Sequence, residues 1–286
     1  MKFAFIKEHL TAFSVDVSCA VLEVSRSGYY AWLSRPQSTR ARRREELAVK
    51  IKAAHEHNRR VYGSPRVCRA LRAQGESVCE NTVADIMKER QIRARSKRKF
   101  VPRTTDSAHQ QPLADNVLDR QFDAPLPDQK WAADITYIPT DEGWLYLAGV
   151  IDLCSRRIVG WSMADHIRVE LVSDALSMAI ARRCPDEGLL HHSDRGVQYA
   201  SEDYMHLLQS HEIKASMSGR GDCWDNAVME SFWATLKNEL VHHEGYATRE
   251  QARASIFEYI EVFYNRERLH SSLGYVSPET FEASLN

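Results

Sequence analysis

Residues 131–165 read WAADITYIPTDEGWLYLAGVIDLCSRRIVGWSMAD. Three runs within it, WAADITYIP, GWLYLAGVIDLCS and RRIVGWSMAD, are rich in β-branched and aromatic residues. Short polar turns at Asp141-Glu142-Gly143 and Arg156-Arg157 part them, which predicts three consecutive strands. Downstream the period changes. VELVSDALSMAIARR predicts a helix, LLHHSD a short strand, SEDYMHLLQSHEI a helix and KASMS a further strand. Strands in series followed by alternating helix and strand describe an α/β fold, a mixed sheet flanked by helices. DNAVMESFWATLKNEL (225–240) predicts a helix whose buried stripe is Met229, Phe232, Trp233, Leu236 and Leu240. REQARASIFEYIEVFYNRE continues the helical pattern, and Ser277-Pro278-Glu279 starts one more helix.

Upstream of the strands the chain reads as all-α. SVDVSCAVLEVSRSGYYAWLSRP predicts short helices ended by Pro36, and RARRREELAVKIKAAHEH buries Leu47, Ile51 and Ala54 at helical spacing. SPRVCRALRAQGESVCENTVADIMKERQI reads as helix, turn, helix. Pro65 sits at a first helical position, Gly75 in the turn, Ser77 with Glu80 in a capping box, and Val83, Ile86 and Met87 form an apolar stripe. An αα-hairpin and a DNA-binding helix-turn-helix share that pattern. The following run RQIRARSKRKFVPR, with seven Lys or Arg in residues 90–103, favours DNA. Arg93, Arg95, Lys97, Arg98 and Lys99 are its candidate phosphate contacts. Four segments are expected: an N-terminal helical segment (1–44), a helix-turn-helix domain with its basic run (45–103), a linker (104–127) with a short helix from Leu113 to Phe122, and an α/β domain with a helical extension (128–286).

The formal net charge of −1 hides an asymmetry. Residues 1–127 carry 24 − 14 = +10 and residues 128–286 carry 14 − 25 = −11, so a polyanion is the expected partner of the first half. No apolar run is long enough for a membrane span, and Lys7 and Glu8 interrupt the N-terminus where an export signal would stay apolar. The six scattered cysteines form no C-x-x-C pair, which suits reduced thiols in a cytoplasm and argues against a structural zinc site.

Three carboxylates stand out by position. Asp134 interrupts an apolar strand, where an uncompensated charge is costly. Asp194 follows the short strand LLHHS, at the strand end where α/β sheets gather ligands. Glu230 borders the buried stripe of its helix, with Asn226 and Lys237 on the same face. The 35-residue gap from Asp194 to Glu230 is weak by itself, since chance supplies such gaps among 39 acidic residues. Three acids brought together need a cation between them, and their oxygens suit Mg²⁺ or Mn²⁺. Two such ions serve an in-line phosphoryl transfer. His191 and His192 are read as strand fillers, with His192, like Asn226, a candidate to support the carboxylates from behind. Asp152 is the decoy acid, expected in a structural hydrogen bond. Trp131, Trp144, Trp161 and Trp233 are read as core, and Trp224 as a candidate for base stacking.

At this point WAADITYI, HHSDRGVQYAS, DNAVMESFWATLKNEL and YNRERLHSSLGYVSPETF, with the N-terminal VSRSGYYAWLSR and YGSPRV, resemble the motifs of bacterial insertion-sequence transposases with a retroviral-integrase-type core, more narrowly the OrfB product of the IS-three family. The resemblance implies an RNase H-like fold with a D-D-35-E triad on Asp134, Asp194 and Glu230, and Lys237 as a contact to the element's terminal DNA. It implies a DDE transposase that performs Mg²⁺-dependent cleavage and strand transfer by a copy-out, paste-in route. Double-stranded DNA, both terminal inverted repeats and target, is then a partner, as is an OrfA part joined by frameshifting, and pairing two ends implies a dimer or larger homo-oligomer. The competing readings are a non-catalytic DNA-binding regulator and an RNase H-like nuclease that never joins.

Overall fold

The computed structural model describes residues 1–95, 114–219 and 223–285, without side-chain placement at Cys223 and Trp224. Helices α1 (Lys2–Glu8), α2 (Val15–Val21) and α3 (Arg26–Ser34) close a small core on Ile6, Cys19 and Tyr29, ahead of Pro36. Helix α4 (Thr39–His57) buries Leu47, Ile51 and Ala54, as their spacing predicts, and α5 (Ser64–Ala73) and α6 (Glu80–Glu89) pack on it. The expected capping box does not form. Helix α6 begins at Glu80 with Cys79 as its cap residue and no side-chain cap bond, because Arg72 Nε donates to Val78 O at 2.9 Å and holds the chain extended past Ser77.

The expected helix from Leu113 to Phe122 is also absent from its described part. Residues 114–117 carry no regular structure and a turn follows at 119–120. Ser216 Oγ accepts from Val117 N at 3.0 Å and Leu118 N at 3.1 Å, taking backbone donors that a helix would use, while Leu118 is buried.

The three strand-like runs become β1 (Lys130–Thr140), β2 (Gly143–Asp152) and β3 (Ile158–Ala164), an antiparallel meander. Strand β4 (Leu190–Ser193) pairs parallel with β1, and β5 (Lys214–Met217) parallel with β4, giving the order β3-β2-β1-β4-β5. Helices α7 (Val169–Arg183) and α8 (Glu202–Ser210) cover one face through Leu171, Leu176 and Tyr204. The other face carries α9 (Ala227–Glu239) and α10 (Arg249–Glu258), which continues as a π-helix over Tyr259–Glu267; α11 (Pro278–Ala283) follows. Helices α4–α6 join that second core: Val67, Leu71 and Ile86 belong to the same buried cluster as Phe232, Leu236 and Phe263. The polar face between them is stitched by Arg59 to Glu258 and by Leu269 N donating to Tyr62 Oη at 2.8 Å.

Candidate active site

Strand β1 is hydrogen-bonded on both sides, so whatever it carries is held by the sheet. Asp134 lies mid-strand, half-buried, opposite Gly149 of β2. A Cβ at Gly149 would stand 2.9 Å from the Trp233 ring, so only glycine lets the indole settle there. From that seat Trp233 Nε1 donates to Asp134 Oδ2 at 3.0 Å, while Ile135 N donates to Oδ1 at 2.8 Å. Ala132 is aligned with His192 in the parallel pair β1–β4. The same register carried two residues on, just past the end of β4, sets Asp194 beside Asp134 on the face that α9 covers. Asp194 is half-buried, and its Oδ1 accepts from Gly196 N at 2.9 Å.

Glu230 lies one turn before Trp233 on α9 and is exposed at the rim of the buried stripe, which includes all five apolar residues expected from the sequence. Helix α9 is registered on the sheet by Asn226, whose Nδ2 donates to Ala133 O at 3.0 Å, one residue before Asp134. Asn226 is buried and its Oδ1 has no hydrogen-bond partner among the described residues. Beside it, buried Asp225 accepts from Gly219 N (2.7 Å), Asn116 Nδ2 (2.9 Å) and Arg120 Nε (2.9 Å), tying the helix start to the linker. Lys237, two turns beyond Glu230, holds its ammonium 4.8 Å from the centre of the Tyr137 ring. Burial lowers its pKa and Asp134 pulls the other way, so its charge lies within reach of the same carboxyl.

Electrostatics binds the acids into one unit. The Asp134 carboxyl is pushed up to about 8, first by burial, then by Asp194, with Glu230 adding to the rise; the Ile135 and Trp233 N–H groups oppose it. Tyr199, fully buried and with no partner for its hydroxyl among the described residues, is raised well above the usual tyrosine range, chiefly by burial, then by Tyr204 and by both aspartates. Among the described residues no three carboxylate, imidazole or thiol groups converge closely enough to hold a metal ion between them. The arrangement is a pair, Asp134 with Asp194, and an outlying Glu230. All three are hard oxygen donors, and the repulsion already felt by Asp134 is what a divalent cation would relieve, so the donor set fits Mg²⁺ or Mn²⁺.

The remaining candidates fall as follows. His192 is fully buried, bonded through Nδ1 to Ser216 Oγ (2.9 Å) and through Nε2 to Ser218 Oγ (3.1 Å). Burial lowers its pKa to about 4, so it is neutral near pH 7, facing β5 and Asp225. His191 faces the opposite side and bonds Tyr204 Oη at 2.7 Å. Asp152, the decoy, is fully buried and accepts from Asp128 N, Cys154 N, Ser155 N and Ser155 Oγ, a structural role as expected. Arg93 is exposed and Arg95 half-buried just beyond α6, where Arg95 N donates to Arg60 O at 2.8 Å. Lys97, Arg98, Lys99 and the side chain of Trp224 lie outside the described residues. Sequence reasoning read Trp233 as core alone and passed over Asp225 and Tyr199. The one available signal was that Trp233 stands three residues after Glu230 on the face turned to β1.

Comparison with known proteins gives consistent matches. Profiles described as Integrase core domain match residues 124–223 and 211–278, and one described as HTH-like domain matches residues 42–100. The chain is 46% identical to "Transposase InsF for insertion sequence IS3A" of Escherichia coli (strain K12) over 284 residues, covering 99% of this chain and 98% of that one. It is 46% identical to the "Insertion element IS600 uncharacterized 31 kDa protein" of Shigella sonnei, covering 92% and 96%. A simian T-cell lymphotropic virus intasome structure aligns with TM-score 0.48 and 15% identity over 80% of this chain and 73% of that one.

Proposed function

The chain belongs to the transposase family of the IS3-type insertion sequences, and from that premise we propose that Asp134, Asp194 and Glu230 are the carboxylates through which it cuts and joins DNA. It is a polynucleotidyl transferase with an integrase core. What supports the assignment of the site is the register that sets Asp194 beside Asp134 under α9, together with an Asp134 carboxyl pushed up by burial and by the negative charges of Asp194 and Glu230. A divalent cation held by these acids would relieve the repulsion that raises the Asp134 carboxyl. When bound, one or two Mg²⁺ or Mn²⁺ ions supply Lewis acidity toward the attacking and leaving oxygens of the phosphodiester.

The chain's own residues orient that chemistry. Trp233 N–H fixes Oδ2 of Asp134 and Ile135 N–H fixes Oδ1, so the carboxyl is oriented at both oxygens. Asn226 sets the height of α9 on the sheet and so the reach of Glu230. Lys237, on the same face, meets a DNA phosphate at the element's end. His192 stays neutral and braces the strand behind Asp194, so it serves as no proton store. The basic run at residues 90–103, with Arg93 and Arg95 among its members, holds the duplex, and Trp224 stacks on an unpaired base. The partners in this reading are terminal and target DNA, an OrfA part and further copies of the chain, in a bacterial cytoplasm at the nucleoid. No helix of the described residues is long and apolar enough to cross a membrane.

The test uses labelled duplexes of the element's ends with Mg²⁺, and the full chain alone and joined to OrfA. Joined strands support the proposal, cut strands alone indicate a nuclease, and retarded intact DNA indicates a regulator. Asp134→Asn, Asp194→Asn and Glu230→Gln are each expected to lower turnover by about three orders of magnitude or more while leaving DNA retention largely in place. Normal turnover by any one of them would remove that residue from the site.

A further inference from the structure

We propose that α1–α3 form a second DNA-reading helix-turn-helix, in addition to α5–α6, with α3 lying in the major groove. This rests on the reading of the chain as an enzyme that finds DNA ends. Helices α2 and α3 are joined by the four residues Leu22–Ser25. Val24 N donates to Cys19 O at 3.0 Å to end α2, and Glu23 takes a left-handed φ of 52° to redirect the chain. Ser25 then caps α3 by accepting from Gly28 N at 3.0 Å. The unit has its own core, Ile6, Cys19 and Tyr29, closed by Phe3 and Trp32. A Cβ at Gly28 would stand 3.2 Å from Phe3 Cζ, so the glycine lets α1 lie against α3. Two short helices, a tight turn and a bracing third helix are the parts of a helix-turn-helix.

The outward face of α3 identifies the occupant. Tyr29 is its only fully buried residue, and Ser27, Tyr30, Ala31 and Ser34, at i, i+3, i+4 and i+7, form an exposed stripe. Small hydroxyls meet base edges, an alanine methyl meets the thymine methyl, and a tyrosine supplies both a ring and a hydroxyl. No acid stands on α3; Arg26, paired with Asp16 of α2 at 2.9 Å, opens it and exposed Arg35 follows its end. Residues 1–36, which hold the unit, carry 4 − 3 = +1, and the arginines at 40 and 42–44 opening α4 follow directly. Helix α6 contrasts with this, exposing Glu80, Asp85 and Glu89 around Lys88. Helix for helix, α3 therefore repels a polyanion less than α6 does.

The experiment selects duplexes from a pool of randomised DNA with the full chain. The unaltered chain is expected to select two separated blocks of fixed bases. The Ser27→Ala/Tyr30→Ala chain should lose one block and bind the selected duplex about ten-fold more weakly. Retention of both blocks with unchanged affinity overturns the proposal, as does an unchanged base preference accompanied by loss of self-association, which would make α3 a protein contact. Should the double variant unfold, Arg35→Ala at the exposed helix end decides instead: the salt slope of binding falls by about one if Arg35 meets a phosphate and stays put if it does not. Strand cutting by the unaltered chain reads the carboxylates separately, so failure here leaves the catalytic reading standing, and failure there leaves this one standing.

Discussion

Asp134 has two hydrogen-bond donors and two acidic neighbours, and the balance between them sets its proton affinity. Removing the indole donor with Trp233→Phe should raise its pKa further. Strand cutting should then fall about ten-fold near pH 7 and recover as pH rises, a profile that a packing defect alone would not give. An unmoved pH–rate profile would return Trp233 to the core. Folding raises the Asp134 pKa from its ordinary 3.8 to about 8, so the folded chain keeps a proton that the unfolded chain has released across that window. Stability without added metal should therefore decline on this account as pH climbs from about 4 to about 8. Asp134→Asn should unfold a few degrees above the parent chain at pH 8 and much closer to it at pH 4, as measured by thermal denaturation. The aspartates were legible in the sequence because a charge inside an apolar strand stands out. The bond from Trp233 was not, because apolar spacing marks a tryptophan as buried without saying where its N–H points.

Helix α9 is fixed at both ends, and the two ends are governed differently. At its start Asn226 and Asp225 bond to β1 and the linker. At its far end Glu239 is buried in a polar cluster: Arg268 grips it through Nη2 at 2.6 Å and Nε at 2.8 Å, Tyr259 Oη donates at 2.8 Å, and Arg66 of α5 stands 3.5 Å away. Glu239→Gln would leave the Arg268 charge buried without its counter-ion and should cost about 3–5 kcal/mol in chemical denaturation. An effect below about 1 kcal/mol would mean that water reaches Arg268. Next to it, burial and then the charge of Arg268 push the His270 pKa down to about 2. Its contribution to stability is complete above its ordinary 6.5 and is lost as pH falls toward 2, so His270→Asn should flatten the acid limb of the stability curve. At this scale the sequence was most readable where a helix buries a stripe, as with Met229 to Leu240. It misled at Ser77 and at 114–122, where Arg72 and Ser216, the latter about a hundred residues away, claim the backbone that local pattern assigned to a cap and a helix. Arg72 lies within the local window but its bond to Val78 O is not a pattern the window shows, and Ser216 lies outside any such window.

Across the whole molecule the charge is split along the chain, +10 over residues 1–127 and −11 over residues 128–286. Replacing Arg95, Lys97, Arg98 and Lys99 by Ala should weaken duplex binding and flatten its dependence on salt, measured by titration at several ionic strengths. An unchanged slope would make the run an ordinary solvated surface. Charge was readable from composition, and so was the order of elements. The shared core was not, because a boundary drawn between helical and strand-rich stretches says nothing about which surfaces meet. Val67, Leu71 and Ile86 are buried together with Phe232 and Phe263, and Arg59 and Tyr62 bind the C-terminal segment. One practical result concerns cleavage of the backbone. A protease nick between Arg95 and Ala114 should leave two fragments that elute together from a sizing column and part only in denaturant, since helices α4–α6 share one buried core with the helices of the α/β domain.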